Sequence, residues 1–363
     1  MEKELFALLR LGIGNTESEK ENLSNFTIFH ASQWAMIGEL AHQQGVLGVM
    51  LDGVDRLETI GYGATRELSK EQKLEWIGNV LNGYEIRNQH QLAVITDLQQ
   101  RWAEVGLRMM VMKGQAMGTY YPNPKHRAPG DIDCYLFEGY AKGNETAKEW
   151  ADNVDEGWYK HSVISYKGET IENHQYFVHT REGRVSKLLN QQLCDTLDGV
   201  NFDVLCGTGA LLPPPTFNAL FLTYHALTHF LEEGLRLKQL LDWAMFLKRE
   251  ANNVDWPLFY SWCDKYHFRR FVDVTTDIAV HYLGVTLTDP QIVCRSPFTE
   301  KVVRSTLYDE DYVFNNIQGG WNNRWHIIKN LFKYRWKYHQ IYQHSLIRQV
   351  WFYITGYLFK TEG

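Results

Sequence analysis

The segment Asp131-Ile132-Asp133-Cys134-Tyr135-Leu136-Phe137 most restricts what this chain can fold into. Ile132, Cys134 and Leu136 alternate with Asp131, Asp133 and Tyr135, which is the period of a half-buried strand, so both carboxylates share one face. Two such charges repel, and the arrangement becomes favourable when a cation sits between them. Mg²⁺ suits this place, because it takes hard oxygen ligands and completes its shell with water and phosphate oxygens.

A strand needs neighbours. The run LRMMVMKG is too short and apolar for a helix and reads as a buried strand from Arg108 to Met112, closed by Lys113-Gly114. GQAMGTYY restarts a short helix, and YPNPKHRAPG is a loop. A polar helix is expected around Thr146 to Asn153. HSVISYKG and ETIENHQYFVH then read as two strands hinged at Lys167-Gly168. The expectation is an α+β fold, a small mixed β-sheet with flanking helices. Glu172 is the candidate third carboxylate, which would allow two metals to be held; Glu169 lies on the opposite face, and a register slip of one residue would exchange them. At Lys113-Gly114, backbone N–H groups and a cation could meet a triphosphate where the glycine lets it approach.

Around this core, residues 106–185, the helical period dominates. Residues 1–105 read as an N-terminal helical region whose last helix spans Lys70 to Val105, bends near Gly83 and stops at Gly106. Residues 186–320 read as a second helical domain, with PPPTFNALFLTYHALTHFLEEG opening on helix-starting prolines. In it, His225 and His229 lie four apart but lack a third ligand, so packed histidines are expected; Arg236, Lys238 and Asp242 either line a cleft or form a solvated helix face.

With 44% apolar and 22% charged residues the chain must fold, and a net charge of −6 argues against a general nucleic-acid coat. The charge is uneven: Trp321 to Gly363 holds seven Lys/Arg against one acid, +6, which leaves −12 for the rest. That tail, residues 321–363, mixes cations with aromatics. It reads first as a packing helix, then as a contact for an anionic membrane surface, then as an RNA surface. Five widely spaced cysteines without a CxxC pair, no signal-like start and no apolar run of spanning length point to the cytoplasm, with membrane-peripheral attachment as the variant the tail suggests.

The block KGQAMGTYYPNPKHRAPGDIDCYLF resembles the signature of the uncharacterised nucleotidyltransferase family within the DNA polymerase beta-like superfamily. IENH is similar to its Glu-x-His strand, and HALTHFLEEGLRLKQLLDWAMFL to its helical segment; the likeness covers roughly residues 30 to 260. The resemblance implies a minimal nucleotidyltransferase fold and Mg²⁺-dependent transfer of a nucleoside monophosphate from an NTP to an acceptor hydroxyl. The acceptor is left open: a sugar, a small molecule, a protein side chain or RNA. It makes Asp131 and Asp133 metal ligands and Glu172 the third carboxylate, sets Lys113, Gly114 and Arg127 against the nucleotide phosphates, and gives His174 the orienting of Glu172 or contact with the acceptor. Gln115 departs from the superfamily's Gly-Gly or Gly-Ser turn, which removes a hydroxyl that often meets phosphate. The alternative is a catalytically silent nucleotide-binding or scaffold protein, membrane-peripheral in surface polysaccharide assembly.

Overall fold

Lys167 and Gly168 both take positive φ, 50° and 77°, the turn that matches the right-handed twist of two flanking strands. A two-residue turn sets the register of everything beside it. In the computed structural model, which describes residues 1–15, 24–60, 63, 65–180, 183–232, 234–289, 291–292, 295–309, 329, 332–342 and 345–347, the protein is α+β. The elements run α1 (Glu2–Gly12), α2 (Ala31–Gln43), α3 (Leu47–Ile60), α4 (Lys70–Val80), α5 (Ile86–Glu104), β1 (Met109–Met112), α6 (Gly114–Gly118), β2 (Ile132–Leu136) and α7 (Tyr140–Ala147). There follow β3 (Asn153–Asp155), β4 (His161–Tyr166), β5 (Glu169–His174), α8 (Arg184–Asp195), α9 (Pro215–Glu232), α10 (Leu237–Glu250), α11 (Trp256–Lys265), α12 (Arg269–Asp277) and α13 (Thr299–Tyr308).

The sheet order is β1-β2-β5-β4-β3. β2 and β5 are parallel and pair Asp133 with Glu172; the other neighbours are antiparallel, and Met112 lies opposite Asp133. One sheet face, with Ile132, Cys134, Ile164 and Ile171, packs against α5 in a smaller core. The other face carries the carboxylates and looks toward α9. There Met110, Met112 and Phe221 join a larger core that also holds residues from α1, α3, α10 and α12. The N-terminal and C-terminal helices therefore share one interior. α1 and α3 touch backbone to backbone: a Cβ at Gly12 would fall 2.1 Å from the Val49 carbonyl oxygen, so only glycine fits.

The long helix expected from Lys70 to Val105 is there, bent by a π-type turn at Leu81–Glu85 around Gly83. It closes with Gly106 at φ 78° and N–H bonds from Gly106 to Ala103 and from Leu107 to Trp102, a Schellman end. The polar helix lies earlier than expected. It is α7, and Asn153–Asp155 form β3 instead, because Trp150 must turn in to meet Trp102 and Tyr166 at ring separations of 5.9 and 4.7 Å.

Most of the 321–363 tail lies outside the described residues. In the described part, Tyr338 and Ile341 are fully buried, and Lys337, one of the tail's seven cations, donates to the Phe230 carbonyl at 3.0 Å from inside the core. No helix among the described residues is long and apolar enough to cross a membrane.

Candidate functional site

Parallel pairing brings Asp133 and Glu172 side by side, and period two adds Asp131 and His174 to the same face. The hairpin register sets His161 opposite His174. The β5 alternative is excluded by burial: Glu169 points the other way, into α5, where Arg87 Nη2 reaches it at 3.1 Å and Gln91 Nε2 at 2.9 Å.

Asp133 is the centre of the cluster. It is 5% exposed, and its Oδ1 accepts from Lys113 Nζ at 2.5 Å and faces His174 Nε2 at 3.0 Å. Burial alone would raise its pKa, but the Lys113 ammonium and the His174 hydrogen bond outweigh it and hold the carboxyl well below its usual range. Glu172 is also pulled down, its burial outweighed by His174 at 3.3 Å and by Lys113. Asp131 behaves oppositely. Partial burial and the charges of Glu172 and Asp133 raise its pKa, and its carboxylate has no hydrogen-bond partner among the described residues. His161, with its Nε2 3.5 Å from Glu172, is pushed down to about 4 by burial, so it is neutral at pH 7.

Lys113 holds a non-glycine positive φ of 48° at the strand-to-helix turn. Its ammonium bridges Asp133 and His225, whose Nε2 lies 3.3 Å away, and those contacts offset a backbone cost of about 1–3 kcal/mol. Burial keeps His225 neutral, and His229 is 2.9 Å from it, so the histidine pair is joined to the site through Lys113.

The turn is anchored from behind. Gln115 Nε2 donates to Asn88 Oδ1 (2.7 Å) and Gln91 Oε1 (2.9 Å) on α5. Asn88 Nδ2 in turn donates to the Lys125 and Arg127 carbonyls, and Gln91 Nε2 to that of Gly130. Gln115 thus ties the turn and the loop before Asp131 to one helix and faces away from the phosphate side. Gln115→Ala leaves two buried acceptors unpaired, and an expected loss of about 1–3 kcal/mol in urea unfolding follows; a change under about 0.5 kcal/mol would mean the network does not brace the turn.

Arg127 lies at the cleft wall, but its guanidinium is committed: Nε and Nη2 donate to the two oxygens of Asp242, both at 2.8 Å, and Tyr121 donates to the same carboxylate at 2.7 Å. The residue expected to neutralise phosphate is here a buried brace between the loop and α10, at the wall of the cleft. Lys238 is uncommitted: its Nζ stands over Gly130 without an ion pair among the described residues, and burial, helped by the Arg127 charge, pushes its pKa down to about 8. A cleft of about 650 Å³ runs between these groups, lined by Lys113, Gly114, Asp131, Asp133, His161 and Glu172 on one side and Arg236, Lys238 and Trp243 on the other. His161 was missed from the sequence, although counting outward from Lys167-Gly168 sets it against His174. Of the two readings open for Arg236, Lys238 and Asp242, the structure has the cleft lining.

A family model described as uncharacterised nucleotidyltransferase matches residues 30–284. No curated protein and no solved structure matches the chain.

Proposed function

The chain belongs to the uncharacterised nucleotidyltransferase family, and from that premise we propose that it transfers a nucleoside monophosphate from an NTP to an acceptor hydroxyl, releasing pyrophosphate. One observation carries the reading: three carboxylates on or just before adjacent strands face, across one cleft, two cations at the start of α10, its N-cap Arg236 and Lys238, that have no ion-pair partner among the described residues.

The residues fit Mg²⁺. Asp131 is an unpartnered carboxylate in the field of two others, and a cation would relieve the repulsion that raises its pKa. Asp131, Asp133 and Glu172 would hold the ion, which when bound neutralises phosphate charge. Lys238 and Arg236 would take the outer phosphates, and Lys113 holds Asp133 in position. His174 orients Glu172, which is kept ionised and can accept the acceptor's proton. The acceptor oxygen would bond to the α-phosphorus in line as the bond to pyrophosphate breaks.

The silent-scaffold reading has one observation in its favour: an ammonium 2.5 Å from Asp133 Oδ1, on the carboxylate a metal would need. Calorimetric titration of the four NTPs, with and without Mg²⁺, separates the two. We expect Mg²⁺-dependent binding that Asp131→Asn/Asp133→Asn loses and that Lys238→Met weakens roughly 10- to 100-fold, the worth of one charged hydrogen bond. Affinity should fall as pH rises past about 8, where Lys238 gives up its proton, and the fall should be absent in Lys238→Met. Metal-independent binding would favour the scaffold, and no binding to folded protein would remove the NTP from the reading.

A further inference from the structure

Beside the cleft stands an imidazole pair, His161 on its wall and the buried His174 behind it, of which the phosphate chemistry uses only His174, to orient Glu172. The rings of His161 and His174 face each other across the hairpin with centroids 5.2 Å apart. Both present Nε2 to the Glu172 carboxylate, at 3.5 Å and 3.3 Å. The two contacts run to different oxygens, Oε1 for His161 and Oε2 for His174, and donors bound at about 2.0–2.1 Å to one ion sit roughly 3.0–3.4 Å from each other, so a small shift gathers the three groups around one ion. One ligand atom from each of the three residues lies within 4.8 Å of the others. His174 Nδ1 is 3.3 Å from the Tyr176 carbonyl, the outer contact that a metal-ligating histidine makes with its far nitrogen, while Nε2 faces Asp133 and Glu172. His161 Nδ1 is buried with no hydrogen-bond partner, so Nε2 is the ring nitrogen open to a ligand on the cleft side.

We infer that His161, Glu172 and His174 form a seat for a borderline divalent transition ion of the Zn²⁺ class. Two imidazoles and one carboxylate favour such an ion, whereas the all-oxygen pair Asp131 and Asp133 favours Mg²⁺. Three protein ligands leave a position for water or an acceptor oxygen, and both His161 and Glu172 line the cleft from which it would come. The inference deepens the reading above, with which it shares Glu172, by giving the site two metal positions of different chemistry. The rival is an imidazolium at His174 that donates from Nε2 to Asp133 and Glu172 and needs no metal.

The test uses the full chain, freed of tag and chelator, titrated with Co²⁺ and followed by its visible d–d absorption. The expected result is a set of bands that saturates at one equivalent and survives Asp131→Asn. Zn²⁺ should abolish it, and millimolar Mg²⁺ should not. His174→Ala and His161→Gln should each weaken Co²⁺ binding at least tenfold. His161→Gln, at a partly exposed position, keeps the test valid if the buried His174 variant unfolds by circular dichroism. No bands in folded wild type, bands unchanged in His161→Gln, or displacement by Mg²⁺ would each overturn the inference. The NTP titration on the same preparations keeps the outcomes apart: bands without NTP binding remove the transfer reading alone, and NTP binding without bands removes the transition-ion seat alone.

Discussion

Asp133→Asn is expected to cut any NTP-dependent turnover at least ~1000-fold, because several kcal/mol of transition-state charge stabilisation pass through this carboxylate in the proposed chemistry, and each ~1.4 kcal/mol is tenfold in rate. The substitution keeps the shape and removes one charge. Lys113 and His174 then face a neutral amide inside a site where Asp133 is 5% exposed, so stability should fall as well. The stability loss has a defined pH dependence. Asp133 binds its proton far less readily folded than unfolded, so its contribution is complete above the unfolded carboxyl pKa of about 3.9 and is lost as pH falls toward the lower folded value. Urea unfolding of wild type and variant should therefore differ most near neutral pH and converge in acid. A gap that persists unchanged below about pH 3 would show that the charge of Asp133 is not what stabilises the site. Asp131→Asn should cost activity just as heavily without that stability loss, because its charge is repelled where it stands. The two variants together separate a residue that holds the site together from one that is present only to bind.

Arg127→Ala is expected to be the most destabilising single change around the cleft, by about 3–5 kcal/mol, because it strands the buried Asp242 carboxylate with the Tyr121 hydroxyl alone. Calorimetric Tm should fall by roughly 4–7 °C. The pair is replaceable even though neither half can be removed: Arg127→Met/Asp242→Leu puts apolar volume where both charges were and should recover most of the loss. A fall below about 1 kcal/mol in Arg127→Ala would mean that the pair does not brace the loop to α10.

Much of the carboxylate face was legible because strands obey a strict period. Asp131 and Asp133 share a face by alternation alone, and the two-residue turn at Lys167-Gly168 dictates which β4 residue meets which β5 residue. The helix over 70–104, its bend at Gly83 and its end at Gly106 were equally local, since a cap and a break are properties of adjacent residues. The helix after β2 was misplaced because Trp150 packs against partners more than fifteen residues away in either direction, and a polar stretch does not reveal where its one large ring turns inward.

Residue types at short spacing determined that this chain carries a strand with paired carboxylates, a glycine turn ahead of it and a hairpin behind it, because backbone periodicity and turn geometry act over a few residues. Which charges are free and which are paired was decided only by the tertiary structure. Arg127 and Asp242 stand 115 residues apart and neutralise each other, Lys113 bends back to Asp133 and His225, and Lys238, unremarkable on its helix, is left over the cleft without an ion pair among the described residues. A charge becomes functional or structural according to what lies within about 4 Å of it and how much water remains. Both are settled by the long-range placement of α10 across the cleft from the sheet, to which local sequence patterns are blind.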